Sequence, residues 1–220
     1  MKKIIVFLLV LVSIMCLYGC ENEVDLTVYV SQYRENIFEG ENENYKLTLY
    51  IERREEPFIA DAFVGNLENV VIAKIESKTE SVDGVKIFFN IDNKDYEGQF
   101  KYNPIKARFT SEIKVENLPK NKEFQVVIES NGEKQDIQLT SKVNEKTLTP
   151  KDILKSIASY DKNTVNTLFK GDKVNSEIHV RLLRNDNKNY YYVGFVSKNN
   201  KTIAYLVDGE SAEILAVKDL

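Results

Sequence analysis

Histidine, cysteine and tryptophan are nearly missing from this 220-residue chain, which holds one histidine, two cysteines and no tryptophan. Both cysteines, Cys16 and Cys20, fall within the first twenty residues, so the rest of the chain has no thiol for a disulfide, a thiolate metal site or a nucleophile. Whatever folds downstream is held by its apolar core. One histidine, His179, and no downstream thiol exclude Cys-His catalysis, triads built on the usual histidine base, and histidine-rich zinc or haem sites. There is no glycine-rich phosphate loop among the nine glycines. Long apolar runs are also absent, with one exception at the start.

That exception is the block from Ile4 to Leu17, which follows Lys2 and Lys3 and leads into Leu17-Tyr18-Gly19-Cys20. As a helix rising about 1.5 Å per residue it would cover roughly 21 Å, short of the roughly 30 Å hydrocarbon core. A basic start, a short apolar middle and a small residue before a cut are the parts of a secretory signal. Leu17, Gly19 and Cys20 match three positions of the lipobox, and the segment resembles the signal of a bacterial lipoprotein; Tyr18 departs from the small or β-branched residue usual there. The resemblance implies removal of residues 1–19, a diacylglycerol thioether on Cys20 with further acylation such as palmitate, and residence on the extracytoplasmic face of the cell membrane. Two long acyl chains make such an anchor effectively permanent.

Beyond Cys20 there are 28 basic and 34 acidic residues, a formal charge of −6 with histidine neutral. That sign weighs against nucleic acid and anionic lipid as partners, because counterion release needs clustered Lys and Arg. Heavy use of Lys, Asn, Ile and Glu points to an AT-rich genome and a Gram-positive host.

Residues 20–25 read as the lipidated cysteine and a short tether. Residues 24–30 alternate through Val24, Leu26, Val28 and Val30 as a first strand, and residues 31–44, with Asn36, Gly40, Asn42 and Asn44, read as a loop. Strands are predicted at 45–52, 69–77, 84–91, 96–102, 108–115, 124–129 and 134–140. Asp92-Asn93-Lys94-Asp95 and Asn131-Gly132 mark hairpins, and Pro57 breaks the charged stretch after residue 52. Asp92 to Gly98 superficially suggests a calcium loop, but Lys94 takes a ligand position, so the hairpin is preferred. Ile113, Val115, Leu118-Pro119, Phe124, Val126 and Ile128 resemble the late strands of immunoglobulin-like modules, which implies an Ig-like antiparallel β-sandwich over residues 26–141 without the antibody tryptophan and disulfide.

Residues 142–149 are polar and read as a linker. Thr149-Pro150-Lys151-Asp152 has the form of a capping box with proline at the first helical position, followed by the stripe Ile153, Leu154, Ile157 and Ala158 to near Tyr160. A second short helix over 163–169 stops before Gly171. About four alternating strands complete the chain, joined by turns at 185–188, 198–201 and 208–211. The order helix then meander, with Tyr205 to Gly209, Ser211-Ala212 and Glu213 to Leu215, resembles the PepSY class of extracytoplasmic modules, and Tyr192 supplies the early-strand aromatic. The expected fold is therefore mainly β, α+β overall, with the sandwich followed at 150–220 by a small helix-plus-antiparallel-meander domain.

Candidate chemistry is thin. Ile178, Val180 and Leu182 face inward by alternation, which leaves His179 on a solvent face with Glu177 and Arg181. Glu52, Glu55, Glu56 and Asp61, interleaved with Arg53 and Arg54, read as a solvated, salt-bridged loop in preference to a carboxylate pair for glycoside chemistry. Tyr190-Tyr191-Tyr192 must turn at least one ring away from the core, and with Tyr205 on a neighbouring strand they are the candidate ligand contacts. No catalytic residue, metal ligand or cofactor is expected. The expected function is a membrane-anchored surface lipoprotein that binds an extracytoplasmic protein, peptide or glycan without catalysis, with a PepSY-type restraint of an extracytoplasmic peptidase or sensor as the alternative.

Overall fold

The structure, a computed structural model, describes residues 24–78, 82, 84–105 and 107–220. The expected signal segment and Cys20 lie outside the described residues. The chain is mostly antiparallel β with a small helical part. Among the described residues thirteen strands join in one hydrogen-bonded network.

Its centre is β1 (Val30–Glu41), in the stretch whose asparagines and glycine suggest a loop. The strand has a bulge between Val30 and Gln32 and another between Arg34 and Asn36, so period-two alternation fails twice along it. Pairing along both edges makes it a strand nonetheless: β2 (Tyr45–Glu55) runs antiparallel to it over its length, β10 (Ser176–Asn185) pairs parallel with its first half, and β9 (Glu133–Ser141) takes its far end. Gly40 is needed where β1 passes β9, because a Cβ there would sit 2.2 Å from the Gln138 carbonyl oxygen. Residues 26–29, read above as part of a strand, form instead a short 3₁₀ turn, Leu26–Tyr29, capped by the Asp25 carboxylate accepting from the Thr27 amide.

β2 continues to β3 (Leu67–Ser77), then β7 (Arg108–Val115) and the short β6 (Lys101–Asn103). β9 leads to β8 (Glu123–Ser130), β4 (Lys86–Ile91) and β5 (Lys94–Gln99). These two layers form a sandwich around one core that includes Leu47, Leu49, Val71, Ile87, Val126 and Leu139, all fully buried. The stretch 96–102 does not make one strand: β5 pairs with β4 in one layer and β6 with β7 in the other, and the chain crosses between them at buried Phe100. The hairpin turns lie where Asn and Asp tolerate positive φ, at Asp92-Asn93, Asn131-Gly132 and Asp186-Asn187.

The second core lies under α1 (Pro150–Tyr160) and α2 (Lys162–Leu168). The capping box is complete: Thr149 Oγ1 accepts from the Asp152 amide and the Thr149 amide donates to Asp152 Oδ2. Ile153, Leu154 and Ile157 bury the helical stripe against β10, β11 (Lys188–Ser197) and β12 (Thr202–Asp208), while β13 (Ile214–Asp219) closes the edge of the meander. Buried Asn189 fastens residues 142–147 to this unit, donating to the Lys142 carbonyl at 2.8 Å and to Thr147 Oγ1 at 3.0 Å. β1 belongs to both cores, giving Val30 and Ile37 to the second and Phe38 to the first.

Candidate interaction surface

Alternation on β10 divides the meander as expected on one face. Ile178, Val180 and Leu182 are fully buried beneath the helices. The other face is only partly open to solvent. Residues 56–66, entered through a cis Glu56-Pro57 bond, fold across its lower end. Glu177 Oε1 accepts from the amides of Asp61 at 3.2 Å and Ala62 at 3.0 Å, and Glu55 Oε1 accepts from the Gly65 amide at 3.1 Å. Glu177 is itself fully buried, and that burial pushes its carboxyl above the ordinary carboxylate range. His179 is half-buried, a correction to the solvent-facing position expected of it. The ring of Phe58 packs edge-on to its imidazole at 4.9 Å. Desolvation, with the positive Arg181 beside it, lowers the His179 pKa to about 4, so the ring is neutral at neutral pH and suited neither to acid-base work nor to holding charge.

Above this covered end a polar row crosses the sheet. Arg181 lies 5.6 Å from the centre of the Tyr192 ring and donates through Nε and Nη2 to Gln32 Oε1 at 2.9 and 2.6 Å. Gln32 Nε2 donates to Glu52 Oε2 at 3.0 Å. Glu52 also pairs with Arg34 at 2.6 Å and lies 3.9 Å from Arg54, which goes on to Glu112 at 2.8 Å and Glu56 at 3.2 Å. The row thus runs over β11, β10, β1 and β2 to β7, from the second core to the first. Glu52 is 1% exposed, which corrects its assignment to a solvated loop: the strand continues to Glu55, and the carboxylate is buried because two arginines and a glutamine compensate it. Both of its oxygens are engaged, Oε1 by Arg34 and Oε2 by Gln32.

The candidate tyrosines part company. Tyr190 and Tyr192 are partly exposed on the outer face, Tyr192 beside Arg181. Tyr205 is fully buried on the helix-facing side, in contact with Phe195, and its hydroxyl donates to Asp161 Oδ2 at 2.8 Å. It is a core residue and cannot touch a ligand on the outer face. The apolar run Ile203 to Val207 gives no parity of its own; pairing of Tyr205 with Val193 fixes which face it takes.

The sequence reading makes the charged stretch after residue 52 a solvated loop broken by Pro57, without singling out its apolar side chains as contacts. Its apolar side chains point outward: Phe58 is 43% exposed, Ile59 57% and Phe63 72%. The loop that carries this apolar trio is held in place by backbone bonds to Glu177 and Glu55. Among the described residues no group of three or more His, Cys, Asp or Glu is placed to hold a metal ion, and no helix is long and apolar enough to cross a membrane. Comparison with protein-family models, with curated proteins and with solved structures found no match.

Proposed function

We propose that the protein is a lipid-anchored surface lipoprotein that acts by binding an extracytoplasmic protein, peptide or glycan. The observation that carries this reading is the surface made of Tyr190, Tyr192 and Arg181 with the exposed trio Phe58, Ile59 and Phe63 on a pinned loop. Partly exposed aromatics beside a cation, next to apolar side chains already held in place, lose little freedom on contact. The lipobox match at Leu17, Gly19 and Cys20 supports the anchor, and the Ig-like resemblance supports a sandwich used as a support for the meander. The PepSY-type alternative is supported by the order of α1 and α2 before β10–β13.

Site-specific photo-crosslinkers at positions 63 and 192, with a control at Glu97 on the sandwich, test the binding reading on intact cells. A discrete adduct from 63 and 192 and none from 97 is the expected result; equal labelling from all three positions would sink it. An adduct with a peptidase whose activity falls on binding would move the assignment to the PepSY-type alternative. Cys20→Ala tests the anchor: the protein is expected in the medium or as unprocessed precursor, and an unchanged mass and membrane fraction would end the lipoprotein reading.

A further inference from the structure

The chain's overall negative charge is unevenly distributed. Residues 21–141 carry 15 basic and 24 acidic side chains, whereas residues 142–220 carry 13 basic and 10 acidic, so the helix-and-meander part has a formal charge of +3 against −9 for the rest. The helical layer holds a concentrated share of that excess, exposing Lys151, Lys155, Lys162, Lys170 and Lys173. Several sandwich lysines are tied to carboxylates, as in Lys94 with Glu116, Lys114 with Glu68 and Lys74 with Glu76. Among the described residues, Lys151, Lys155, Lys170 and Lys173 have no carboxylate at ion-pair distance. Against these five lysines the same layer carries three carboxylates: Asp152 and Asp161, engaged as caps, and the exposed Asp172 between Lys170 and Lys173. Two large apolar side chains stand exposed on this layer, Val28 at 63% and Tyr160 at 63%.

The described chain begins on the same layer. Val24 packs against the second core, and Asp25 lies within electrostatic reach of Lys151 and Lys155. Four Cα steps separate Cys20 from Val24, which span at most roughly 14 Å when extended. A lipid on Cys20 therefore brings the bilayer surface close to α1.

We infer that the helical layer is the membrane-facing side of the protein and docks on an anionic lipid surface, with Lys151, Lys155, Lys170 and Lys173 over the headgroups and Val28 and Tyr160 at their level. This rests on the lipid-anchor reading above. Clustered juxtamembrane lysines gain from a negative leaflet, and the gain is screened by salt. Docking this way turns the outer face, with Tyr192 and the 56–66 loop, away from the bilayer on the opposite side of the meander.

The test uses the full, processed chain reconstituted through its own lipid into vesicles of phosphatidylcholine with phosphatidylglycerol, or of phosphatidylcholine alone. Single cysteines replace Lys155 or Glu133, the latter exposed beside the far β8–β9 turn, and carry a fluorophore quenched by headgroup spin-labelled lipid. Several-fold stronger quenching at 155 than at 133 is expected with phosphatidylglycerol, reduced by high salt, by pure phosphatidylcholine and by the Lys151→Glu/Lys170→Glu variant. Equal quenching at both positions, or stronger quenching at 155 that ignores lipid charge, overturns the proposal while leaving the anchor intact. Failure of the chain to float with either vesicle overturns the anchor itself and the docking with it.

Discussion

The two faces of β10 are made from alternate residues of one strand, yet they are stabilised by opposite means. Inward, Ile178, Val180 and Leu182 meet only apolar neighbours, and dispersion and the hydrophobic effect do the work. Outward, Glu177, His179 and Arg181 are covered too, but their burial is tolerable only because Asp61, Ala62 and Gln32 supply partners and because His179 gives up its charge. Burial on the inner face follows from composition. On the outer face it follows from pairing, so losing one partner there costs as much as opening a cavity in the core.

The largest effect is therefore expected on the polar side. Arg34→Met strips Glu52 of its closest cation and leaves a carboxylate in the sheet interior; a loss of about 3–5 kcal/mol in urea unfolding is expected. A loss under 1 kcal/mol would show that Arg54 and Gln32 suffice to compensate Glu52. Leu182→Ala, on the inner face, is expected to cost about 2–5 kcal/mol by the same measurement. If it proves far costlier than the arginine change, the two faces are not equivalent.

Acid should separate the faces further. His179 titrates near 4 in the folded chain against an ordinary 6.5, so below 6.5 the unfolded chain takes up a proton that the folded chain refuses. Its contribution is present in full above 6.5 and is lost as pH falls toward 4, roughly 3 kcal/mol over the window. Glu177, raised by burial, opposes this, since its protonation favours the folded state. His179→Gln should flatten the midpoint-versus-pH curve between 6.5 and 4.5 and leave the neutral end little changed; an unaltered slope would show that other groups set the acid limb. The smallest expected effect is Tyr205→Phe, about 1 kcal/mol for a hydroxyl bond to a carboxylate that keeps its Thr164 partner. No change in adduct formation at position 192 should accompany it.

Local features were legible in the sequence, because their causes are local. The Thr149–Asp152 capping box, the apolar stripe of α1 and the Asn-Gly and Asp-Asn turns are decided within a few residues. β1 was not legible, because its bulges break the alternation and its partners lie as far away as β10. The burial of Glu52 went unseen for the same reason: Gln32 and Arg34 sit in the stretch that reads as a loop. Tyr205 needed the register with Val193, and His179 needed Phe58, which is distant in sequence and brought over it by the 56–66 crossing. What a residue's own neighbourhood in sequence decides can be read directly; what a strand partner decides cannot.

Because β1 pairs in parallel with β10, Val30 must wait for Ile178 before the second core is complete. During synthesis the sandwich strands leave the ribosome with one half-edge of β1 unpaired, and the closing strand follows almost 150 residues later. A chain cut after residue 141 would thus present an open strand edge bearing Gln32 and Arg34, and the remaining piece would lack Leu26, Val30 and Ile37 from its core. Neither half is a finished product on its own, so the protein should be lost or kept as a whole by proteases that act on half-made chains.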